Sequence, residues 1–277
     1  MINFLHTYLP NALLLKIGPI EIYWYGLFIV VGILSAIGLT VKLAEYYKIK
    51  KNTIIDLAFW LIIFGIIGAR IYHIFLELPY YLNNPLAIFK IWEGGIAIHG
   101  ALIAGIITLI IFTKKNKLNF FKLTAIITPG LALGQAIGRW GNYFNQELYG
   151  LPSNLSFAIP IEFKNRILNY ISYDYFHPTF LYESIGNLII FTILILMHVY
   201  IIKKKKFSEI YSLTIVFSYL IFYSLLRFSL EFIRIDKTPE ILGLRSPQIA
   251  SILIIFASII FITYKHLKNK KQSVSID

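Results

Sequence analysis

The sequence predicts an all-α integral membrane protein with seven transmembrane helices, and three observations carry that prediction. Hydrophobic residues make up 57% of the 277-residue chain and charged residues only 14%, against about 25% charged in a soluble domain. Apolar runs recur at Tyr23–Val41, Ile54–Leu76, Ile96–Phe112, Leu123–Ile137, Phe180–Ile202, Ile210–Phe228 and Ile249–Tyr264. Most approach the ~17–25 residues that a spanning helix needs. The basic residues gather at alternate connections between these runs.

That gathering sets the topology. Lys42, Lys48, Lys50 and Lys51 follow span one, and Lys114, Lys115, Lys117 and Lys122 follow span three. Lys203 to Lys206 follow span five, and Lys265, Lys268, Lys270 and Lys271 follow span seven. These are sixteen of the 26 basic residues, so the connections that hold them are cytoplasmic. The N-terminus is then outside and the C-terminus cytoplasmic. The net charge of +12 is a topology signal and calls for no nucleic-acid partner. The absence of cysteine excludes disulfides, thiolate metal sites and a cysteine nucleophile, and no metal or cofactor is expected. No basic region precedes the first apolar run, so no removable signal peptide is read.

Residues 1–22, with Pro10, Gly18 and Pro19, read as a short interfacial segment outside. Span one opens with Tyr23-Trp24-Tyr25-Gly26, aromatics suited to the outer interface, where Gly26 would let another group approach Tyr25. Span two carries Gly65, Gly68, Arg70 and His73 in its outer half; an arginine within an apolar run faces the bundle interior or water. His99 enters the first turn of span three, beside Gly100, Ala104 and Gly105, which admit a close helix or lipid. Its residue type leaves a structural and a catalytic role both open.

Span four is short unless it continues to Trp140. Gly130, Gly134, Gly138 and Gly141 fall on one helical face built for close packing, and Gln135, Arg139 and Asn142 form an adjoining polar stripe. Residues 143–178, with Pro152, Pro160 and Pro178, form a small outer-side subdomain between spans four and five, an insertion in one polytopic membrane domain. Thr179 is a candidate cap of span five. Glu183 either pairs with an arginine, which Asn187 on the same face favours, or suits the helix dipole. Span six ends with Tyr223, Arg227, Glu231 and Arg234 on one face. Arg227 either pairs internally with Glu231 or lines a cationic groove. Arg245-Ser246-Pro247-Gln248 leads into span seven, with Ser246 as candidate cap.

The densest chemistry lies directly after span four, in Gly138-Arg139-Trp140-Gly141-Asn142-Tyr143-Phe144-Asn145-Gln146-Glu147-Leu148-Tyr149-Gly150. Ionisable groups at membrane depth are costly and mark functional sites by default. None of the six arginines, Arg70, Arg139, Arg166, Arg227, Arg234 and Arg245, lies in a lysine cluster. Lysine serves where charge alone is needed, and arginine stays where a fixed fork must grip an oxyanion. Tyr25, Arg70, His99, Arg139, Asn142, Glu147, Tyr223, Arg227 and Glu231 all map to the outer half of the membrane. Their chemistry suits an anionic phospholipid, and an imidazole can act as a base near neutral pH.

The Gly138–Gly150 segment resembles the signature of the bacterial phosphatidylglycerol–prolipoprotein diacylglyceryl transferase family. So do Trp24-Tyr25-Gly26, Gly94-Gly95-Ile96-Ala97-Ile98-His99-Gly100, His177-Pro178-Thr179-Phe180-Leu181-Tyr182-Glu183 and Arg227-Phe228-Ser229-Leu230-Glu231-Phe232-Ile233-Arg234. Trp140, Gln146 and Ser229 stand as variants within the pattern. The resemblance implies transfer of a diacylglyceryl group from phosphatidylglycerol to the lipobox cysteine thiol of a prolipoprotein signal peptide, releasing glycerol phosphate. It implies a multi-pass enzyme of the bacterial plasma membrane with its active site facing outward. The family's essential residues carry over as Tyr25, His99, Arg139, Asn142, Glu147, Gly150, Tyr223, Arg227 and Glu231; Arg70 and Arg234 join them here as substrate-binding candidates. In the implied mechanism Arg139 and Arg227 hold the phosphate, His99 accepts the thiol proton directly or through Tyr25, and Asn142 and Glu147 hold the arginines or the glycerol hydroxyls.

Rival classes find less support. A rhodopsin-like receptor needs a lysine within span seven, and Ile249–Tyr264 has none. A transporter needs a polar path into the inner half, and this polar constellation stops in the outer half. A serine hydrolase would carry Gly-x-Ser-x-Gly, and the chain does not.

Overall fold

The computed structural model describes residues 2–274. In chain order the main elements are helix α1 (Ile2–Thr7), the hairpin β1 (Leu13–Ile17) and β2 (Ile20–Tyr23), α2 (Trp24–Tyr46), α3 (Lys51–Leu76), α4 (Leu78–Asn83), α5 (Ile98–Lys115) and α6 (Phe120–Phe144). The short strands β3 (Ile159–Pro160) and β4 (Tyr175–Phe176) follow, then α7 (Thr179–Lys203), α8 (Glu209–Leu230), the strands β5 (Glu240–Ile241) and β6 (Leu244–Arg245), and α9 (Ser246–Val274). Seven of these helices, α2, α3 and α5 to α9, are long and apolar enough to cross a membrane, as the apolar runs predict. Span four is longer than its apolar run: α6 continues through Arg139 and Asn142 to Phe144, because its final turns pack on aromatic side chains and need no lipid around them.

The chain forms two compact units, residues 40–126 and residues 1–39 with 127–277. In the first, α3 and α5 pack antiparallel. A Cβ on Gly100 would overlap the Gly68 carbonyl, and one on Gly68 would come within 2.6 Å of the Gly100 carbonyl. The backbones therefore touch, which is how helices gain dispersion contact where lipid offers no hydrophobic drive. Beyond this contact, Arg70 is buried near the end of α3. Its Nε donates to the Ile88 carbonyl (3.0 Å), Nη1 to those of Gly94 and Gly95 (2.7 and 2.8 Å), and Nη2 to those of Ala87 and Lys90. All five guanidinium N–H groups are thus spent on one loop, and the Tyr81 ring lies 5.2 Å from the guanidinium carbon. A Cβ on Gly95 would come within 2.5 Å of Arg70 Nη1, so glycine is required for that approach.

In the second unit, α6 meets α2 through Gly134 and Gly32, where a Cβ on Gly32 would sit 3.1 Å from the Gly134 carbonyl. Gly138, expected on the same packing face, has nothing within 4 Å of its Cβ position. α6 joins α7 through Ser184 Oγ, which donates to the Ala136 carbonyl (2.9 Å), and α8 through Tyr219, whose hydroxyl donates to Gln135 Oε1 (3.1 Å). At the ends of α6 and α7 away from their lysines, a small core forms from Leu5, Tyr143, Tyr149, Ile159, Ile161, Phe176 and Phe180. The insertion expected at 143–178 is thus built together with the N-terminal segment. Trp140 fits by setting its ring edge-to-face against Phe180, at 5.3 Å and 70°, a favoured aromatic arrangement.

Gln146, read from the sequence as a mere variant, is buried with φ of 52°. Its Nε2 donates to the Pro10 carbonyl (2.7 Å), while its Oε1 accepts from the Glu162 amide (2.6 Å) and Asn165 Nδ2 (3.2 Å). One amide therefore ties the end of α6 to two other segments. The caps expected at Thr179 and Ser246 take other forms. Thr179 is the first residue of α7, behind Pro178, and its hydroxyl donates to the Leu148 carbonyl. At α9, Gln248 Oε1 accepts from the Arg245 amide (3.0 Å), the reach-back half of a capping box.

The α3–α5 contact gives a test of opposite signs on neighbouring glycines. Gly65 has nothing within 4 Å of its Cβ position, so Gly65→Ala should gain helix propensity, up to about 1 kcal/mol. Gly100→Ala should lower the unfolding midpoint in detergent by several degrees while Gly65→Ala raises it slightly; thermal melts of both variants check this.

Candidate functional site

The second unit concentrates its charge around Glu183, in the first turns of α7, with only 5% of its side chain exposed. Three arginines reach this carboxylate. Arg139 Nε, from α6, pairs with Oε2. Arg227 Nη1, from α8, and Arg234 Nη1, just beyond α8, each lie 3.2 Å from Oε1. A second carboxylate, Glu231, is fully buried: Arg227 Nη2 stands 3.0 Å from Oε2 and Arg245 Nη1 3.2 Å from Oε1. These contacts lack hydrogen-bond geometry, so Glu231 acts through charge. Asp236 completes the set, accepting from Arg234 Nε (2.8 Å) and facing Arg245 Nη2 at 3.7 Å.

The local sequence explains the convergence. The spacing predicts Arg227, Glu231 and Arg234 on one helix face, but α8 ends at Leu230. Glu231 is its cap, and Arg234 lies beyond it, in a bridge with Gly150. Arg227 pairs with Glu231 at i,i+4 and also reaches Glu183, so the two readings of its role hold together. Burial works to raise the Asp236 carboxyl, but the hydrogen bond and charge of Arg234 outweigh it and hold the group below the usual aspartate range. Burial likewise acts to lower Arg234, and Glu183 and Asp236 more than compensate.

The four guanidiniums differ in what they have left to offer. Arg245 is spent on the Thr238 hydroxyl and the carbonyls of Glu231, Arg234 and Asp236, besides its carboxylates. Arg234 has only 4% of its side chain exposed, against 22% for Arg139 and 19% for Arg227. Among the described residues, Arg139 Nη2 and Arg227 Nε have no hydrogen-bond partner.

A relay leads from Arg139 outward. Its Nη1 donates to Asn142 Oδ1 (3.3 Å), and Asn142 Nδ2 donates to the exposed Glu147 at 2.7 Å. Tyr25 is half-exposed and packs on α6 at Gly141, where a Cβ would sit 2.7 Å from its ring. The glycine that admits Tyr25 is therefore Gly141; Gly26, expected in that role, has nothing within 4 Å. Gly150 bridges to Arg234 in antiparallel pairing, and a Cβ there would come within 2.8 Å of the Ile233 carbonyl. Tyr223 stacks on Tyr219 at 6.0 Å. Below Glu183, Asn187 donates to the Glu183 carbonyl (2.8 Å) while its own buried Oδ1 has no partner among the described residues. Beside Arg234 and Arg245 opens a cavity of about 660 Å³, lined also by Leu151, Arg166, Tyr170 and Asp236.

The structure thus brings together, in one unit, Tyr25, Arg139, Asn142, Glu147, Gly150, Tyr223, Arg227, Glu231 and Arg234. Arg70 and His99 belong to the other unit. Arg70 is committed to its loop, and His99 is exposed in the first turn of α5 with its ring 5.8 Å from Tyr72. Two residues outside the candidate set, Glu183 and Arg245, turn out to hold the cluster. The signal for Glu183 was its place at a helix start beside Asn187; the signal for Arg245 was only that it is one of the six arginines kept outside the lysine clusters.

A family model described as prolipoprotein diacylglyceryl transferase matches residues 12–264. The phosphatidylglycerol–prolipoprotein diacylglyceryl transferase of a Synechocystis species is 42% identical over 262 residues, covering 94% of this chain and 91% of the relative. The enzymes of the same name from Synechococcus elongatus and Oceanobacillus iheyensis are 43% and 41% identical, covering 89% and 94% of this chain and 84% and 90% of their own. With a whole-chain match of this kind laid over the arginine cluster, the chain belongs to the prolipoprotein diacylglyceryl transferase family.

Proposed function

We propose that the chain performs its family's reaction, moving the diacylglyceryl group of phosphatidylglycerol onto the lipobox cysteine thiol of a prolipoprotein. It is a transferase of lipoprotein biosynthesis and a multi-pass membrane protein. The lysine clusters support a bacterial plasma-membrane topology with the arginine cluster facing outward.

The observation that carries the reading is the pair of partly exposed arginines backed by a buried carboxylate. Arg139 and Arg227 are fixed by Glu183 and keep unpartnered donors, which suits a phosphate's need for directed N–H groups. In the reaction the sulfur–carbon bond forms as the carbon–oxygen bond to phosphate breaks. The lipid's phosphodiester carries one negative charge, and the departing glycerol phosphate approaches two. Charge therefore grows where the guanidiniums point, so they stabilise the transition state more than the bound lipid. Arg234, Arg245 and Glu231 hold this pair in place from behind. Asn142 and Glu147 orient Arg139 and offer acceptors to the glycerol hydroxyls. Tyr223 and Gly150 shape the site, and Arg70 orders the loop that precedes His99.

The nucleophile comes with the peptide. A free thiol, with a pKa of about 8.5, is little ionised at neutral pH, so a base is needed, and His99 is the candidate for that role.

Incubating the purified protein with phosphatidylglycerol and a synthetic lipobox peptide should give a peptide with the mass of one added diacylglyceryl group, together with free glycerol phosphate. Mass spectrometry reads both, and peptide recovered unmodified from a lipid-bound enzyme would refute the assignment. Arg139→Lys keeps the charge but loses the fork that spans Glu183 and Asn142; transfer should fall by about 10²-fold or more. Full activity of that variant would mean that charge alone suffices. His99→Gln should lower the rate by about 10²–10⁴-fold and abolish the acid limb of the pH–rate profile. A profile of unchanged shape would show that His99 only positions substrate.

A further inference from the structure

We propose that the α3–α5 pair carries a binding site for one acyl chain of an anionic phospholipid whose phosphate is held by Lys115. The site is separate from the arginine cluster and lies wholly within residues 40–126. A groove of about 460 Å³ runs between the two helices, lined by Trp60, Phe64 and Ile67 of α3 and by Ile107, Ile111 and Lys115 of α5. Gly68 and Ala104, beside the Gly68–Gly100 backbone contact, belong to its lining.

The lining is suited to a hydrocarbon chain. The Trp60 and Phe64 rings stack at 5.5 Å and 19°, making one continuous flat wall. Thr108 brings the groove's hydroxyl, but its Oγ1 donates to the Ala104 carbonyl of its own helix at 2.7 Å, so a chain meets its methyl group. Trp60, Phe64, Ile67, Ile107 and Ile111 are all exposed, which leaves the groove open along its length. Eleven residues separate Ala104 from Lys115, about 16 Å of helix. That is close to half the ~30 Å hydrocarbon core, the depth of one leaflet.

The mouth of the groove selects charge. Lys115 is exposed and in no ion pair among the described residues. Lys114 is its neighbour, and Lys51 opens α3 at the same end of the antiparallel pair. None of these lysines is in an ion pair among the described residues, although exposed Asp56 lies one turn before Trp60 on α3. A zwitterionic headgroup would bring its own ammonium against them, so an anionic lipid is favoured.

Trp60 is a built-in reporter, because bromine atoms on an acyl chain quench a tryptophan they touch. The full-length protein is reconstituted in phosphatidylcholine vesicles containing a small fraction of brominated-chain phosphatidylserine or, in parallel, brominated-chain phosphatidylcholine. The Trp60 contribution is isolated by subtracting the Trp60→Phe variant. Phosphatidylserine should quench Trp60 about fivefold more effectively than phosphatidylcholine, the factor one lysine adds to anionic-lipid attraction. The preference should vanish in Lys115→Gln and in Thr108→Phe, which fills the groove without touching the lysine. Equal quenching by the two lipids, or a preference that survives either substitution, would overturn the proposal. Phosphatidylserine is not the lipid of the proposed reaction and no peptide is present, so the outcome is independent of the transferase assignment.

Discussion

One buried carboxylate organises the charge of this protein. Glu183 accepts guanidiniums from α6, from α8 and from the segment beyond it, and without it three cations would face each other in a site largely closed to water. Desolvating such groups costs several kcal/mol per ion, repaid only when partners are close and well aligned. The arrangement meets that condition by sharing: each arginine serves two acidic or amide partners, and Glu183 and Glu231 are each reached from more than one segment. Such a network cannot relax one member alone, and this stiffness is what a phosphate-binding pair of arginines requires.

Much of the architecture was legible in the sequence because it rests on local physics. Spans follow from apolar length, and the i,i+4 pairing of Arg227 with Glu231 from helical periodicity. The family resemblance pointed to a candidate site for the same reason, since its residues lie in contiguous blocks. What escaped were the long-range pairings. Glu183 was legible as a possible partner, but its three arginines come from residues 44 or more positions away along the chain. Gln146 looked ordinary because its partners include a backbone carbonyl and a backbone amide, which every residue offers alike. Arg245 did so because its carboxylate partners, Glu231 and Asp236, lie 14 and 9 positions before it along the chain. Thr179 looked like a cap, yet Pro178 takes the position before the helix and frees the hydroxyl to reach Leu148.

The glycines show the same divide. A helical stripe of small residues says that something approaches closely; it cannot say at which position. Along α6 the approach occurs at Gly134, against another backbone, and at Gly141, against the Tyr25 ring, while Gly138 stays open. Gly138 immediately precedes Arg139, so the open space there lies next to the arginine proposed to meet substrate.

Arg70 carries a different lesson. Its five donors end on main-chain oxygens of residues 87–95 and on no side chain there. The anchor therefore recognises the loop's path and ignores its composition, apart from the glycine at 95 that makes room for the guanidinium. Mutational drift across Leu86, Phe89, Ile91 or Trp92 can rewrite the exposed surface of this loop while its geometry persists. In related chains, variety in this loop is compatible with constancy of its shape.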